Sequence, residues 1–380
     1  LTGRAVRFAL VAGEASGDLL GASLIEALKE RVPHATFTGM AGPRMIAAGC
    51  EPVAHIDELS VMGLAEVLRS YPRLWRLRRR LAEYFIEQQP DVMIGIDVPD
   101  FNLGLERSLK QSGVPTVHLV CPQAWAWREG RARTIARSTD VLLALLPFEP
   151  AFFERFGVKT KFVGHPLADV LPMQPSPREA RAGLGVATNV PLIALMPGSR
   201  RQELERLLDT FLGAARMLKI ARPETQFVLC LARERDVACV EQRLGGFVCP
   251  IVVARSHEVL SAADVAIVAS GTVSLEAMLC ATPIVVGYRL APLSYHIIKH
   301  MVKVPHIALP NILAQRELVP ELIQRELTPE ALKLAVLAWL DDEPRRLRFV
   351  ETSRKLHGSL RCNAAASSAD AILSILDTQK

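Results

Sequence analysis

The chain alternates two textures for most of its length, and this alternation restricts its fold more than any single motif. Short apolar runs of strand length, Val6 to Ala12, Ala35 to Thr38, Val92 to Asp97, Thr116 to Val120, Val141 to Leu145 and Lys161 to Val163, are separated by stretches with apolar residues at helical spacing. Such a series makes parallel βαβ units, because a crossover helix is what returns the chain to start the next strand in the same direction. The segment Gly164 to Pro177, GHPLADVLPMQPSP, breaks the pattern with four prolines and reads as a linker. A second series follows, with strands expected at Pro191 to Met196, Gln226 to Leu231, Ile251 to Val253, Val265 to Val268 and Pro283 to Gly287, and the last residues, 344–380, are helical in texture. The expected fold is α/β: two doubly wound domains, 1–168 and 169–343, facing across a cleft, with the C-terminal helices packing back on the N-terminal domain. A chain of 380 residues, half of them hydrophobic, has the material for two cores.

In doubly wound sheets ligands bind at the carboxyl ends of the strands, so the turns there carry the functional reading. The first is Val11 to Asp18, VAGEASGD. Its spacing is not G-x-G-x-x-G, a carboxylate stands where a pyrophosphate must come close, and no acidic residue closes a strand about 20 residues later, so a dinucleotide is disfavoured. With Gly13 and Gly17 flanking it and Ser16 or Asp18 able to cap a helix beginning near Leu19, the turn either offers amides and a hydroxyl to a polar ligand or is an ordinary capped turn. The second domain has better phosphate chemistry. The strand ending at Met196 runs into Pro197-Gly198-Ser199-Arg200-Arg201, where free N–H groups, helix dipole and guanidinium charge act together on a diphosphate. The strand ending at Val268 leads into Ser270-Gly271-Thr272, a second helix start with small hydroxyl residues. Glu276, inside that helix, reads either as a ribose ligand or as a solvent-facing glutamate. Two such helix starts point to a nucleotide-diphosphate donor on the C-terminal domain.

In the first domain, Gly95 to Asn102, GIDVPDFN, ends an apolar strand with two carboxylates and an amide. Asp97 is placed to act as a general base for a hydroxyl or, equally, to cap the next helix; Asp100 is read as a cap. Ser60 to Gln88 sets Val61, Met62, Leu64, Val67, Leu68, Leu74 and Trp75 beside clustered arginines, which suits a helix in the headgroup region of an anionic bilayer or a surface helix packed on its own sheet. None of the motifs that read nucleic acid is present, and the net charge of +5 is local to such patches. The seven cysteines form no C-x-x-C pair and no metal spacing, which fits reduced thiols and a cytoplasmic protein. No stretch reaches the ~20 apolar residues of a membrane span.

VAGEASGD, GIDVPDFN, WAWREGR, LPFE (146–149), FVGHPLAD (162–169), MPGSRRQE, ASGTVSLEAM, VVGYR (285–289) and LPNILAQREL (309–318) occur in this order from about residue 6 to about residue 365, and together the chain resembles the lipid-A-disaccharide synthase family. Cys121 departs from the serine expected before the proline. The resemblance implies a GT-B glycosyltransferase with two Rossmann-like domains that transfers a diacylated glucosamine from UDP-diacylglucosamine to the 6-hydroxyl of diacylglucosamine 1-phosphate, inverting the anomeric centre. It implies a peripheral place on the cytoplasmic face of the Gram-negative inner membrane and a homodimer with swapped C-terminal helices, while the motifs themselves, with arginine and helix starts rather than a carboxylate pair at the diphosphate, predict no metal and no cofactor. Ser16 and Asp97 then fall on the acceptor side, with Gly17 beside them and Asp97 the proposed base; Arg200, Glu276 and Asn311 fall on the donor side or at the domain interface, and Gly198, Ser199, Ser270, Gly271 and Thr272 of the two helix starts are read as donor-binding with them. A soluble-sugar transferase or epimerase of the same fold and a non-catalytic membrane-binding module are the competing readings.

Overall fold

A computed structural model describes residues 5–59, 64–127, 129–291, 295–296 and 304–378. The chain divides into two units, the first running to Asp169 and resuming at Leu360, the second spanning Val170–Ser359.

The first unit is built on seven parallel strands, β1 (Arg7–Ala12), β2 (Thr36–Ala41), β3 (Cys50–His55), β4 (Val92–Ile96), β5 (Thr116–Leu119), β6 (Val141–Ala144) and β7 (Thr160–Phe162), in the order β3-β2-β1-β4-β5-β6-β7. The central strands β4, β5 and β6 are buried throughout, as expected of a parallel sheet covered by helices on both faces. One layer is the helix Ala15–Arg31 together with the last helix, Ala364–Thr378; Ile25 and Leu28 of the former and Ala369, Ile372 and Ile375 of the latter share one core with β1 and β4. The other layer is Leu64–Gln88 and Pro99–Gln111, whose Leu77, Leu81, Phe85, Phe101, Leu105 and Leu109 pack on Val11 and Met93.

The second unit repeats the plan with β8 (Leu192–Met196), β9 (Gln226–Leu231), β10 (Ile251–Val253), β11 (Val265–Ala269), β12 (Ile284–Tyr288) and β13 (Glu321–Ile323), all parallel, in the order β10-β9-β8-β11-β12-β13. Both sheets reverse direction of winding between their first and fourth strands, β1/β4 and β8/β11. The strand ends are level there: Ala12 pairs with Ile96, and Met196 with Val268.

Two details differ from the expected organisation. Gly164 to Pro177 is not a bare linker, since it contains the helix Pro166–Val170 and receives the returning chain: the His165 amide donates to Leu360 O, and Asp169 accepts from the amides of Asn363 (2.8 Å) and Ala364 (2.6 Å), capping the final helix. Gly164, at φ +92°, lets that chain pass; a side chain there would strike the Cys362 Cβ. The return also begins later than residue 344. The helix Glu343–Leu360 stays with the second unit, where Phe349 packs edge-on against Trp339 and the His357 ring bonds to Leu279 O.

Candidate active site

In the first unit the winding reversal brings together the turns after β1 and β4. The helix after β1 starts at Ala15, earlier than the Leu19 expected, with Glu14 as N-cap and no side chain bonded to its first amides. Ser16 is therefore an exposed first-turn residue and Gly17 a buried one, packed near Ala12 and Ile96. Asp18 does not cap its own helix. It is buried, and its carboxylate accepts from the amides of Gly42, Arg44 and Met45 at 2.9–3.0 Å, capping the short helix Pro43–Ala47 after β2. Gly13 is required because a Cβ there would lie 2.9 Å from Val98 Cγ2, so the two turns touch.

The turn after β4 is strained. Asp97 and Val98 are consecutive left-handed residues, φ +53° and +43°, and for a β-branched valine this is a genuine outlier. Val120, at the end of β5, is another at φ +80°. Such residues concentrate where function over-determines the backbone. The helix Pro99–Gln111 begins after Val98 and has no side-chain cap, so neither carboxylate caps it. Asp100 instead pairs with Arg131. The half-buried Asp97 carboxylate has no hydrogen-bond or ion-pair partner among the described residues, while its backbone is held at both ends: its N–H donates to Leu119 O (2.9 Å) and its carbonyl accepts from Asn102 Nδ2 (2.8 Å).

The corresponding turns of the second unit follow β8 and β11. Gly198 (φ +113°) turns the chain into the helix Arg201–Ala221, for which Arg200 is N-cap. The amides of Ser199 and Arg200 both donate to Glu203 Oε2, at 3.2 and 3.3 Å, so the anion-binding donors expected from the sequence are covered by the chain's own carboxylate. The Arg200 guanidinium is 81% exposed and stands 3.7 Å from the same carboxyl group. Glu203 was legible as an acid three residues after an N-cap. After β11, Gly271 (φ +150°) faces open space and caps the helix Thr272–Leu279, whose start has no side-chain cap; Ser270 is half-buried and Thr272 exposed. Glu276 is neither solvent-facing nor unoccupied: its Oε1 accepts from Ser256 Oγ and His257 Nε2, both at 2.5 Å, and this bond holds the His257 ring above its ordinary pKa. Asn311 has nothing left to offer a ligand directly. It is fully buried, its Nδ2 donates to Val319 O and Glu321 Oε1, and its Oδ1 accepts from the amides of Leu318 and Val319. It shapes the loop into β13.

Of the proposed membrane residues, Val61 and Met62 lie outside the described residues, and Leu64, Val67 and Leu68 are described only as helix backbone. Leu74 is half-buried and Trp75 exposed, beside exposed Tyr71, whereas the apolar residues from Leu77 onward are core. Among the described residues no helix is long and apolar enough to cross a membrane, and no group of three or more His, Cys, Asp or Glu is placed to hold a metal ion. A buried acid that sequence reasoning did not single out is Glu149 of LPFE, pushed up to about 7 by burial while Trp125 Nε1 and the Leu146 amide donate to it.

A family model described as lipid-A-disaccharide synthetase matches residues 8–375. The chain is 44% identical over 377 residues to lipid-A-disaccharide synthase of Serratia proteamaculans and 47% identical over 375 residues to that of Pseudomonas aeruginosa, covering 98% of each partner in both cases. Among solved structures it is similar to a putative UDP-N-acetylglucosamine 2-epimerase from Listeria monocytogenes (TM-score 0.64, 14% identity, 99% and 97% of the two chains covered) and to UDP-GlcNAc 2-epimerase from Neisseria meningitidis bound to UDP-GlcNAc (0.63, 12%, 98% and 100%). The kitacinnamycin glycotransferase is a third (0.63, 17%, 98% and 99%). At such identities these structures show the fold, which is the paired Rossmann-like GT-B class expected from the sequence. The near-complete coverage by named relatives decides among enzymes of that fold: the chain belongs to the lipid-A-disaccharide synthetase family and is a glycosyltransferase.

Proposed function

We propose that the protein forms the lipid A disaccharide by condensing UDP-2,3-diacylglucosamine with 2,3-diacylglucosamine 1-phosphate, giving the β-1,6-linked tetraacyl disaccharide 1-phosphate and UDP. The family match along nearly the whole chain carries this reading. The acceptor belongs on the first unit and the donor on the second. The acceptor 6-hydroxyl attacks the anomeric carbon from the face opposite the diphosphate, the C–O bond to UDP breaks, and the hydroxyl proton passes to Asp97. A single displacement of this kind inverts the centre. Asp97 suits the task because its carboxylate has no other described partner and stands at the winding reversal. The Ser16 hydroxyl and the amides beside Gly17 suit the sugar phosphate of the acceptor.

On the donor side, Gly198, Ser199, Arg200, Ser270, Gly271 and Thr272 surround the diphosphate position and Glu276 the ribose, with Asn311 shaping the loop behind them. Arg200 and the helix starts stabilise charge growing on the departing phosphate, which leaves no step that needs a metal. The neighbour solved with UDP-GlcNAc supports a UDP-sugar donor in this fold. The exposed Tyr71 and Trp75 beside arginines support docking of the helix Leu64–Gln88 on an anionic membrane surface, which we assign to the cytoplasmic face of the inner membrane. The working form is a homodimer, and neither a cofactor nor nucleic acid takes part. The test is incubation of the purified protein with both lipid substrates in detergent, with and without EDTA. UDP and disaccharide should appear at nearly equal rates in the two; release of UDP only when the acceptor is replaced by a soluble sugar would overturn the assignment, and loss of rate in EDTA restored by magnesium would overturn the metal-free mechanism.

A further inference from the structure

The first unit spends an unusual set of buried polar groups on one turn. Asn102 is 1% exposed and points its Nδ2 at three carbonyls: Asp97 (2.8 Å), Ile96 (3.2 Å) and Val11 (3.2 Å). These are the last residue of β4, the penultimate residue of β1 and the strained residue itself. Its Oδ1 is buried with no hydrogen-bond partner among the described residues, so the bonds that orient the side chain are those its amide donates. One turn further along the same helix face, Glu106 is fully buried and its Oε1 lies 2.6 Å from Nδ1 of His118 on β5, also fully buried. The other carboxylate oxygen and the other ring nitrogen have no partner among the described residues either. Gly95 of β4 makes room for both: a methyl group there would collide with the Glu106 carboxylate and come within 3.0 Å of Asn102 Cβ. A cluster in which three buried polar atoms go unsatisfied is costly for stability alone, and what it secures is the fit of the helix Pro99–Gln111 against β4.

We propose that Asn102 is a positioning residue for catalysis: its amide locks Asp97–Val98 in the left-handed turn and so aims the Asp97 carboxylate, while the Glu106–His118 pair holds the helix that carries Asn102 at a fixed height on the sheet. The proposal rests on Asp97 being the base. Without the amide, Val98 has every steric reason to leave φ +43°, and the carboxylate swings with the backbone. Misplacement of a reacting group by about 1 Å costs on the order of 10²-fold in rate without weakening substrate binding.

The experiment measures kcat and KM for both substrates, well below each variant's Tm, in Asn102→Ala, in Asn102→Ala with Val98→Asn, and in Asp97→Asn. Asparagine tolerates the left-handed region that valine resists. Asn102→Ala should lower kcat about 10- to 100-fold with either KM changed less than about threefold, and Val98→Asn in that background should recover about fivefold or more. If Asn102→Ala does not fold, Asn102→Ser, which keeps one donor, takes its place under the same criterion. An inactive Asp97→Asn beside a fully active Asn102 variant, a loss carried by KM, or no recovery with Val98→Asn would overturn the positioning role while leaving the base assignment intact. Turnover retained in Asp97→Asn would overturn the base assignment and this proposal with it.

Discussion

At the scale of single residues, the two carboxylates of GIDVPDFN are separated by what they already hold. Asp100 is exposed and paired with Arg131, an interaction worth under about 1 kcal/mol at a surface. Asp97 has no described partner. Asp97→Asn should cost about 10² to 10⁴ in turnover while Asp100→Asn stays within a few-fold of the parent. UDP affinity should be equal in both, and a parallel loss of UDP binding in the Asp97 variant would show the side chain to be structural. Arg200 calls for a finer expectation, because Glu203 lies under it on the very amides a diphosphate would use. The guanidinium stands beside that carboxylate, so in the proposed mechanism it has to offset this charge as well as that growing on the leaving group. Arg200→Ala should therefore lower kcat by about 10²-fold and also raise the donor KM, since it unmasks an acid beside an anion. Adding Glu203→Gln should restore KM and leave kcat low. Recovery of kcat by the second change would mean that Arg200 acts only by screening Glu203.

At the scale of elements, the helix Leu64–Gln88 shows why an amphipathic pattern has two readings. From Leu77 to Phe85 its apolar residues fill the core under β1 and β4, as the plain packing reading held; at Tyr71 and Trp75, on either side of Pro72, the aromatic rings are exposed. Replacing Tyr71, Leu74 and Trp75 with serine should release the protein from anionic vesicles, with Tm and UDP affinity kept. Unchanged vesicle binding would place the membrane contact elsewhere. The central strands were all legible, and so were the edge strands β7 and β10. The two that sequence patterning missed, β3 and β13, lie at the opposite edge of each sheet. An edge strand is covered on fewer sides, so β3 carries Glu51 and Pro52 and has only two buried residues of six, and β13 has three residues, none buried. Pro52 also sits at a shift in register between β2 and β3, which breaks the period-2 pattern a strand is read from. The site followed the same logic. Its turns were visible because glycine, proline and hydroxyl residues mark strand ends, whereas the role of Asn102 and the Glu106–His118 pair depend on contacts between a helix and three strands that no local spacing encodes.

At the scale of the whole molecule, the segment from Leu360 onward does not belong to the unit that precedes it in sequence. After Glu343–Leu360 the chain leaves the second unit and lays Ala364–Thr378 on the helix Ala15–Arg31, which itself leads out of the VAGEASGD turn. The first unit is therefore completed by residues 364–378, which back the helix that starts at the VAGEASGD turn. Ile372 and Ile375 cover Leu24, Ile25 and Leu28, and burial of each isoleucine contributes about 1.5–3 kcal/mol relative to exposure. Asp169 caps the arriving helix, so a carboxylate near the unit boundary serves the closure rather than the linker. The same contacts can be made within one chain or by a second copy, which is how a swapped homodimer would form without new chemistry. Truncation after Leu360 should lower the Tm of the first unit, abolish transfer and, where the swap holds the dimer, yield monomers by sedimentation. UDP affinity should persist, because the turns at Gly198 and Gly271 proposed to bind the donor belong to Val170–Ser359. Adding back a peptide of residues 361–380 should restore part of the activity in a saturable way. Full transfer by the truncated protein would show that the returning helix is dispensable, and loss of UDP binding along with transfer would show that the two units do not fold independently of it.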